Sequence, residues 1–120
     1  DYISPEQFSG ATFFHDKATE GCVAGGWPIG DMKNPDMYHR VNLKNLDWED
    51  GELTFAGQTC RNLPFYIGIS RQDRIKYEWQ RGNTEFISEI EDALNFDTNC
   101  AFIYYNPDLE LYILDNPGKD

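Results

Sequence analysis

One hundred and twenty residues make one domain with room for a hydrophobic core, and too little chain for two. Acids outnumber bases 21 to 10, a formal charge of −11. That balance argues against nucleic acid as a direct ligand, because a polyanion is held by neutralising its phosphates with Lys and Arg. A basic protein or a cation fits better, and aromatic residues at 15% of the chain predict a folded domain despite the charge.

The longest apolar runs, Ala101 to Tyr105 and Leu109 to Leu114, fall far short of the roughly 20 residues of a membrane helix, so no membrane contact is expected. Opening at Asp1 rather than methionine, the chain is expected to be trimmed from a longer product. Cys22, Cys60 and Cys100 are odd in number and about 40 residues apart, unlike the dense even framework of small secreted domains. Reduced thiols and a cytoplasmic location are the favoured expectation, with one disulfide plus a spare thiol as the alternative.

Ser4-Pro5-Glu6-Gln7 has the form of a capping box and predicts a short helical turn. Ala11 to Phe14 is expected as a first strand. Residues 16 to 36, broken by Gly21, Gly25, Gly26, Pro28, Gly30 and Pro35, have neither a helical nor a strand period. A long loop is predicted there, of a length that in compact domains often carries function.

From Tyr38 the pattern turns to β. Val41 and Leu43 alternate with polar residues, the period shifts at Leu46 and Trp48, and Asp50-Gly51 offers a turn into Leu53 and Phe55, predicting a hairpin with a bulge at the shift. A second hairpin is expected from Leu63, Phe65, Ile67 and Ile69 on one strand and Ile75, Tyr77 and Trp79 on the next, joined by a turn at Arg71 to Asp73. Asn83-Thr84 then offers a cap, and Phe86, Ile87, Ile90, Ala93 and Leu94 fall at helical spacing, predicting an amphipathic helix over about residues 84–95. Cys100 to Tyr105 and Leu109 to Leu114 flank Asn106-Pro107-Asp108 and predict a last hairpin, apolar on both faces and so expected central in the sheet. The expected fold is a single α+β domain over residues 1–120: an antiparallel β-sheet built from hairpins, one helix packed on one face, and a short N-terminal helical turn.

Chemistry-bearing patterns are sparse. Cys22, Cys60, Cys100, His15 and His39 lack the close spacing of a zinc site, and the Asp47 to Glu52 acids lack the glycine and glutamate positions of a calcium-binding loop. Cys22 with His15 and the Gly25-Gly26 pair could be imagined as a nucleophile, a base and an oxyanion hole, but nothing in their spacing is specific, and the histidines are expected as neutral strand-edge residues. No phosphate-binding glycine motif is present. No catalytic residue, metal or cofactor is therefore expected.

Charge is segregated along the chain. Residues 61 to 81 carry five bases, Arg61, Arg71, Arg74, Lys76 and Arg81, against Asp73 and Glu78, whereas residues 82 to 120 carry nine acids against Lys119 alone. Asp47, Glu49, Asp50 and Glu52 add a second acidic cluster at the first hairpin. If helix and hairpin are neighbours, Asp47, Glu49, Asp50, Glu52, Glu85, Glu89, Glu91 and Asp92 share a surface that would steer a cationic protein, with Trp48 as its apolar anchor.

The leading expectation is a small non-enzymatic acidic protein that inhibits or neutralises a basic partner, of the toxin-immunity or nuclease-inhibitor type, with a nuclease toxin as the partner whose cleft has the right charge. A solubility coat explains the acids as well. The alternatives are a carbohydrate-binding or hydrolytic domain built on carboxylates and aromatics such as Trp27 and Trp48, and a structural subunit meeting another chain through residues 100–114.

Overall fold

The computed structural model describes residues 21–25, 38–55, 64–80 and 85–114, together with Pro5, Glu6, Ser9, Gly10, Thr12, Phe14 and Gly82. The organising element is a five-stranded sheet in the order β2-β1-β5-β7-β6. Its strands are β1 (Gly21–Ala24), β2 (Tyr38–Val41), β5 (Phe65–Ser70), β6 (Cys100–Asn106) and β7 (Leu109–Leu114). A separate two-stranded ribbon pairs β3 (Asp47–Glu49) with β4 (Glu52–Phe55). Two α-helices, α1 (Arg71–Ile75) and α2 (Phe86–Phe96), add to the strands and give the mixed α and β content. No helix is long and apolar enough to cross a membrane among the described residues.

Antiparallel pairing holds for β5–β7, β7–β6 and β3–β4, but β1 runs parallel to both β2 and β5. The sheet is therefore mixed, not built from hairpins alone. The parallel half corrects the reading of residues 16–36 as loop throughout. Gly21, Cys22, Val23 and Ala24 are all buried, a four-residue strand covered on both faces, so it carries no polar alternation to announce it. Tyr38–Val41 leaves the first hairpin for the same reason: it pairs with β1, and a 3-10 turn at Leu43–Asn45, capped by the Asn42 side chain, separates it from β3.

The second predicted hairpin does not form. Ser70 and Asp73 make a reciprocal capping box, the Asp73 amide donating to Ser70 Oγ at 3.1 Å and the Ser70 amide to Asp73 Oδ2 at 3.0 Å. That box starts a helix where alternation predicted a turn and strand. The chain continues through α1 into a π-helical turn at Lys76–Gln80. Of the three alternating apolar residues only Tyr77 is buried, while Trp79 stands 82% exposed.

Period-2 patterning sorts the sheet into two cores. Cys22, Ala24, Phe65, Ile67, Ile69, Tyr112 and Leu114 face Ile87, Ile90 and Leu94 of α2, with Tyr77, Leu43 and Leu53 filling the same layer. On the opposite face Val23, Tyr66, Leu109 and Leu111 pack against Phe14, whose ring meets Tyr66 edge-on at 5.3 Å. Thr12 and Phe14 are helical, as are Pro5, Glu6, Ser9 and Gly10, so these two described residues of the strand expected at Ala11 to Phe14 are helix, and Phe14 covers the sheet face opposite α2. β7 is interior but β6 is an edge strand, which leaves Phe102 and Tyr105 more than half exposed rather than central.

Cys22 is disulfide-bonded and Cys100 is a free thiol. Disulfides belong to oxidising compartments, so the argument from reduced thiols to a cytoplasmic location loses its premise. Cys60, His15, Trp27 and residues 16–20 and 26–37 lie outside the described residues, as do the side chain of His39 and the cap expected at Asn83 and Thr84.

Candidate functional site

The β3–β4 ribbon turns through Asp50 and Gly51 with φ of 52° and 81°, the left-handed pair that an Asp-Gly two-residue turn supplies. This turn projects Glu49, Asp50 and Glu52 into solvent, with Asp47 exposed at the base. The ribbon is held by Asp97, a buried carboxylate one residue past the end of α2. Its Oδ2 accepts from Trp48 Nε1 at 3.1 Å and from the Leu53 amide at 3.0 Å, and its Oδ1 accepts from the Asn99 amide at 2.9 Å. Leu53 and Trp48 pack into the core beneath α2. One side chain thus fixes the ribbon to the C-terminal end of the helix.

The two acidic regions separated in sequence meet as a result. On α2, Glu85, Glu89, Asp92 and Phe96 follow at intervals of four, three and four residues and so share one stripe. All four are exposed, Phe96 at 78%. The stripe runs about 16 Å along the helix. It ends against the ribbon turn, where a Cβ on Gly51 would lie 3.3 Å from Phe96 Cδ1. An exposed phenyl ring therefore sits where the helix acids and the ribbon acids converge.

Two of the nominated residues have other employment. Trp48 is half-buried with its indole N–H committed to Asp97, so the exposed aromatic of this surface is Phe96. Sequence reasoning missed Phe96 because it falls two positions beyond Leu94, the last buried residue of the apolar face. The signal was available in its spacing from Glu85, Glu89 and Asp92. Glu91 points off the stripe and takes a bidentate ion pair from Arg74 of α1, with Nη1 to Oε1 at 3.2 Å and Nη2 on Oε2.

Arg74 also reaches Glu110 of β7, Nη2 to Oε2 at 3.3 Å, and Tyr112 donates to Glu110 Oε1 at 3.0 Å. Burial, followed by the hydrogen bond and charge of Glu91, pushes the Glu110 carboxyl up to about 7 against the opposing pull of Tyr112 and Arg74. Burial pushes Glu91 the same way, but hydrogen bonds from Arg74 and Glu110 and the Arg74 charge outweigh it and hold Glu91 below the ordinary value. The guanidinium thus favours the ionised form of Glu91, while burial and the neighbouring Glu91 charge favour the neutral form of Glu110.

A pH signature follows from Glu110. Folding raises its pKa from 4.5 to about 7, so between these values the native chain holds a proton that the unfolded chain has released. This contribution is complete below pH 4.5 and is lost as pH rises through 7. The wild type should lose on the order of 1–2 kcal/mol relative to Glu110→Gln between about pH 5 and pH 8, solvent screening at this partly exposed group trimming the full value. Urea unfolding of both proteins across the range measures it. A stability difference independent of pH would contradict the raised Glu110 pKa.

Burial, with a smaller push from Asp97, raises the Cys100 thiol to about 12, so it stays protonated and unreactive at neutral pH. No three His, Cys, Asp or Glu side chains gather into a metal-binding group among the described residues. Comparison with known protein families, with curated sequences and with solved structures finds no match for this chain.

Proposed function

We propose that the chain is a non-enzymatic binding protein that docks onto a basic partner protein, with Phe96 as anchor and the acids around it as the steering field. The observation that carries this reading is the convergence of the helix stripe and the ribbon turn on a phenyl ring left 78% exposed. Burying such a ring on binding supplies the apolar contact that hot spots rely on, and a rim of like charges raises the encounter rate with an oppositely charged target. A protein whose own ligand is a polyanion, such as a nuclease, presents a suitable basic cleft. Glu49, Asp50, Glu52, Glu85, Glu89 and Asp92 would stand in for phosphates in that cleft, with Asp47 at the margin and Trp48 and Glu91 keeping the surface in shape. Neutralisation of a toxin is the biological form this chemistry fits.

The test begins with capture of basic proteins from the source lysate at low ionic strength and release by salt, and continues with variants of the captured complex. Glu49→Lys with Asp50→Lys should slow association several-fold and flatten its salt dependence, since rim charges act mainly on the on-rate. Phe96→Ala should leave association nearly unchanged and speed dissociation at least tenfold. Trp79→Ala, equally exposed but elsewhere, serves as the control. A salt slope unaltered by the double lysine variant, or an equal loss from the Trp79 control, removes the assignment.

A further inference from the structure

Lys76 plays no part in the docking surface, yet it borders a cleft of about 320 Å³ lined by Gly25, Val41, Asn42, Leu43, Asp73, Lys76 and Tyr77. That size lies in the range of small-ligand pockets. Its place in the fold is specific. Gly25 follows β1, Val41 to Leu43 end β2, and Asp73 to Tyr77 follow β5, so the cleft opens at the carboxyl ends of the three parallel strands. Between β1 and β5 the strand order reverses, the chain leaving β1 toward β2 and leaving β5 toward β7 and β6. In open sheets with parallel strands, this reversal parts the connections to either side and leaves a crevice where ligands bind.

The polar groups around the cleft decide the ligand chemistry. Asn42 Oδ1 accepts from the Lys44 amide at 3.0 Å and from the Tyr77 hydroxyl at 3.4 Å, which identifies that atom as the oxygen and leaves the Asn42 NH₂ as the donor for a ligand. Asp73 turns its Oδ2 to the Ser70 amide and hydroxyl, at 3.0 and 3.1 Å, in the capping box. Lys76 is exposed, its Nζ 5.5 Å from the Tyr77 ring centroid, and is the cation among the described lining residues. Val41, Leu43 and the Tyr77 ring make the apolar wall. Among the described lining residues, one ammonium and one amide donor beside an apolar wall match a singly charged anion with an apolar body. A dianionic phosphate would bring a second charge against Asp73 with no further cation among the described lining residues.

We propose that this cleft binds a small organic carboxylate, with Lys76 pairing its charge, the Asn42 amide donating to it, and Val41, Leu43 and Tyr77 holding its apolar part. The site is independent of the Phe96 surface.

The experiment is a ¹H–¹⁵N titration of the whole chain with benzoate and with indole-3-acetate, using benzamide and inorganic phosphate as comparators. The expected result is saturable shifts at Gly25, Asn42, Leu43, Lys76 and Tyr77 with at least one carboxylate. Benzamide and phosphate should each bind at least tenfold more weakly. Lys76→Gln, a surface change, should weaken carboxylate binding at least tenfold with the remaining spectrum preserved, and Lys76→Arg should restore most of it. Absence of saturable shifts with both carboxylates overturns the proposal. So does benzamide binding as tightly as benzoate, phosphate binding more tightly than either, or indifference to Lys76→Gln.

Discussion

Asp97→Ala should destabilise the protein by about 2–4 kcal/mol, with the loss concentrated in the β3–β4 ribbon. The carboxylate is buried and accepts three hydrogen bonds, two of them from donors in the ribbon itself. Truncation leaves the Leu53 amide and the Trp48 indole N–H facing an apolar layer without an acceptor, and an orphaned buried donor costs more than the bond was worth in net terms. Asp97→Asn keeps one acceptor oxygen and should fall between wild type and alanine. Urea unfolding gives the total, and hydrogen exchange at Leu53 locates it. Undiminished protection at Leu53 in the alanine variant would show that packing alone holds the ribbon. The same substitution should disturb the surface around Phe96, because Asp97 fixes the ribbon turn against the end of α2.

Gly25→Ala is expected to cost about 3–5 kcal/mol, or to prevent folding. Gly25 has φ of 135°, a region L side chains rarely adopt, and a Cβ there would run into the Gly68 carbonyl oxygen of the neighbouring β5. Neither the strain nor the clash can be relieved by rotating a side chain, because the obstacle is main chain in the centre of the sheet. The urea midpoint measures the effect. Gly82→Ala provides the comparison: its φ of 66° is also positive, but nothing lies within 4 Å of the added Cβ, so only the smaller conformational penalty of about 1 kcal/mol applies. Similar losses at both positions would mean that β1 can move away from β5 at little cost.

How far the sequence reveals this architecture depends on the range of the signal. The β6–β7 pair is written locally, two apolar runs with Pro107 and Asp108 between them, and the spacing of Ile87, Ile90 and Leu94 is equally local. Alternation at Ile75, Tyr77 and Trp79 misleads because Ser70 and Asp73 outbid it: a capping box fixes two backbone donors at once, whereas alternation is a statistical echo of burial. β1 is illegible for a different reason. Four residues, two of them glycine and alanine, carry no period, and their strand character comes from neighbours at Tyr38 to Val41 and Phe65 to Ile67. At the candidate surface the acids were legible by composition. The anchor was not, since choosing between Trp48 and Phe96 requires knowing where Asp97 points.

The interior place of β1, between β2 and β5, also divides the sheet by the entropy of assembling it. β6 and β7 meet across a two-residue turn, so their pairing closes almost no loop. In the reduced chain β1 must instead find β5 with Cys22 opposite Phe65, a closure that spans about a third of the chain, and only then can β2 add at its outer edge. Joining the parallel half to the antiparallel half is thus the entropically costly event in building this domain. Because the carboxylate cleft lies at the β1–β5 seam and the Phe96 surface rests on α2, the two proposed sites are completed by different parts of the folding process.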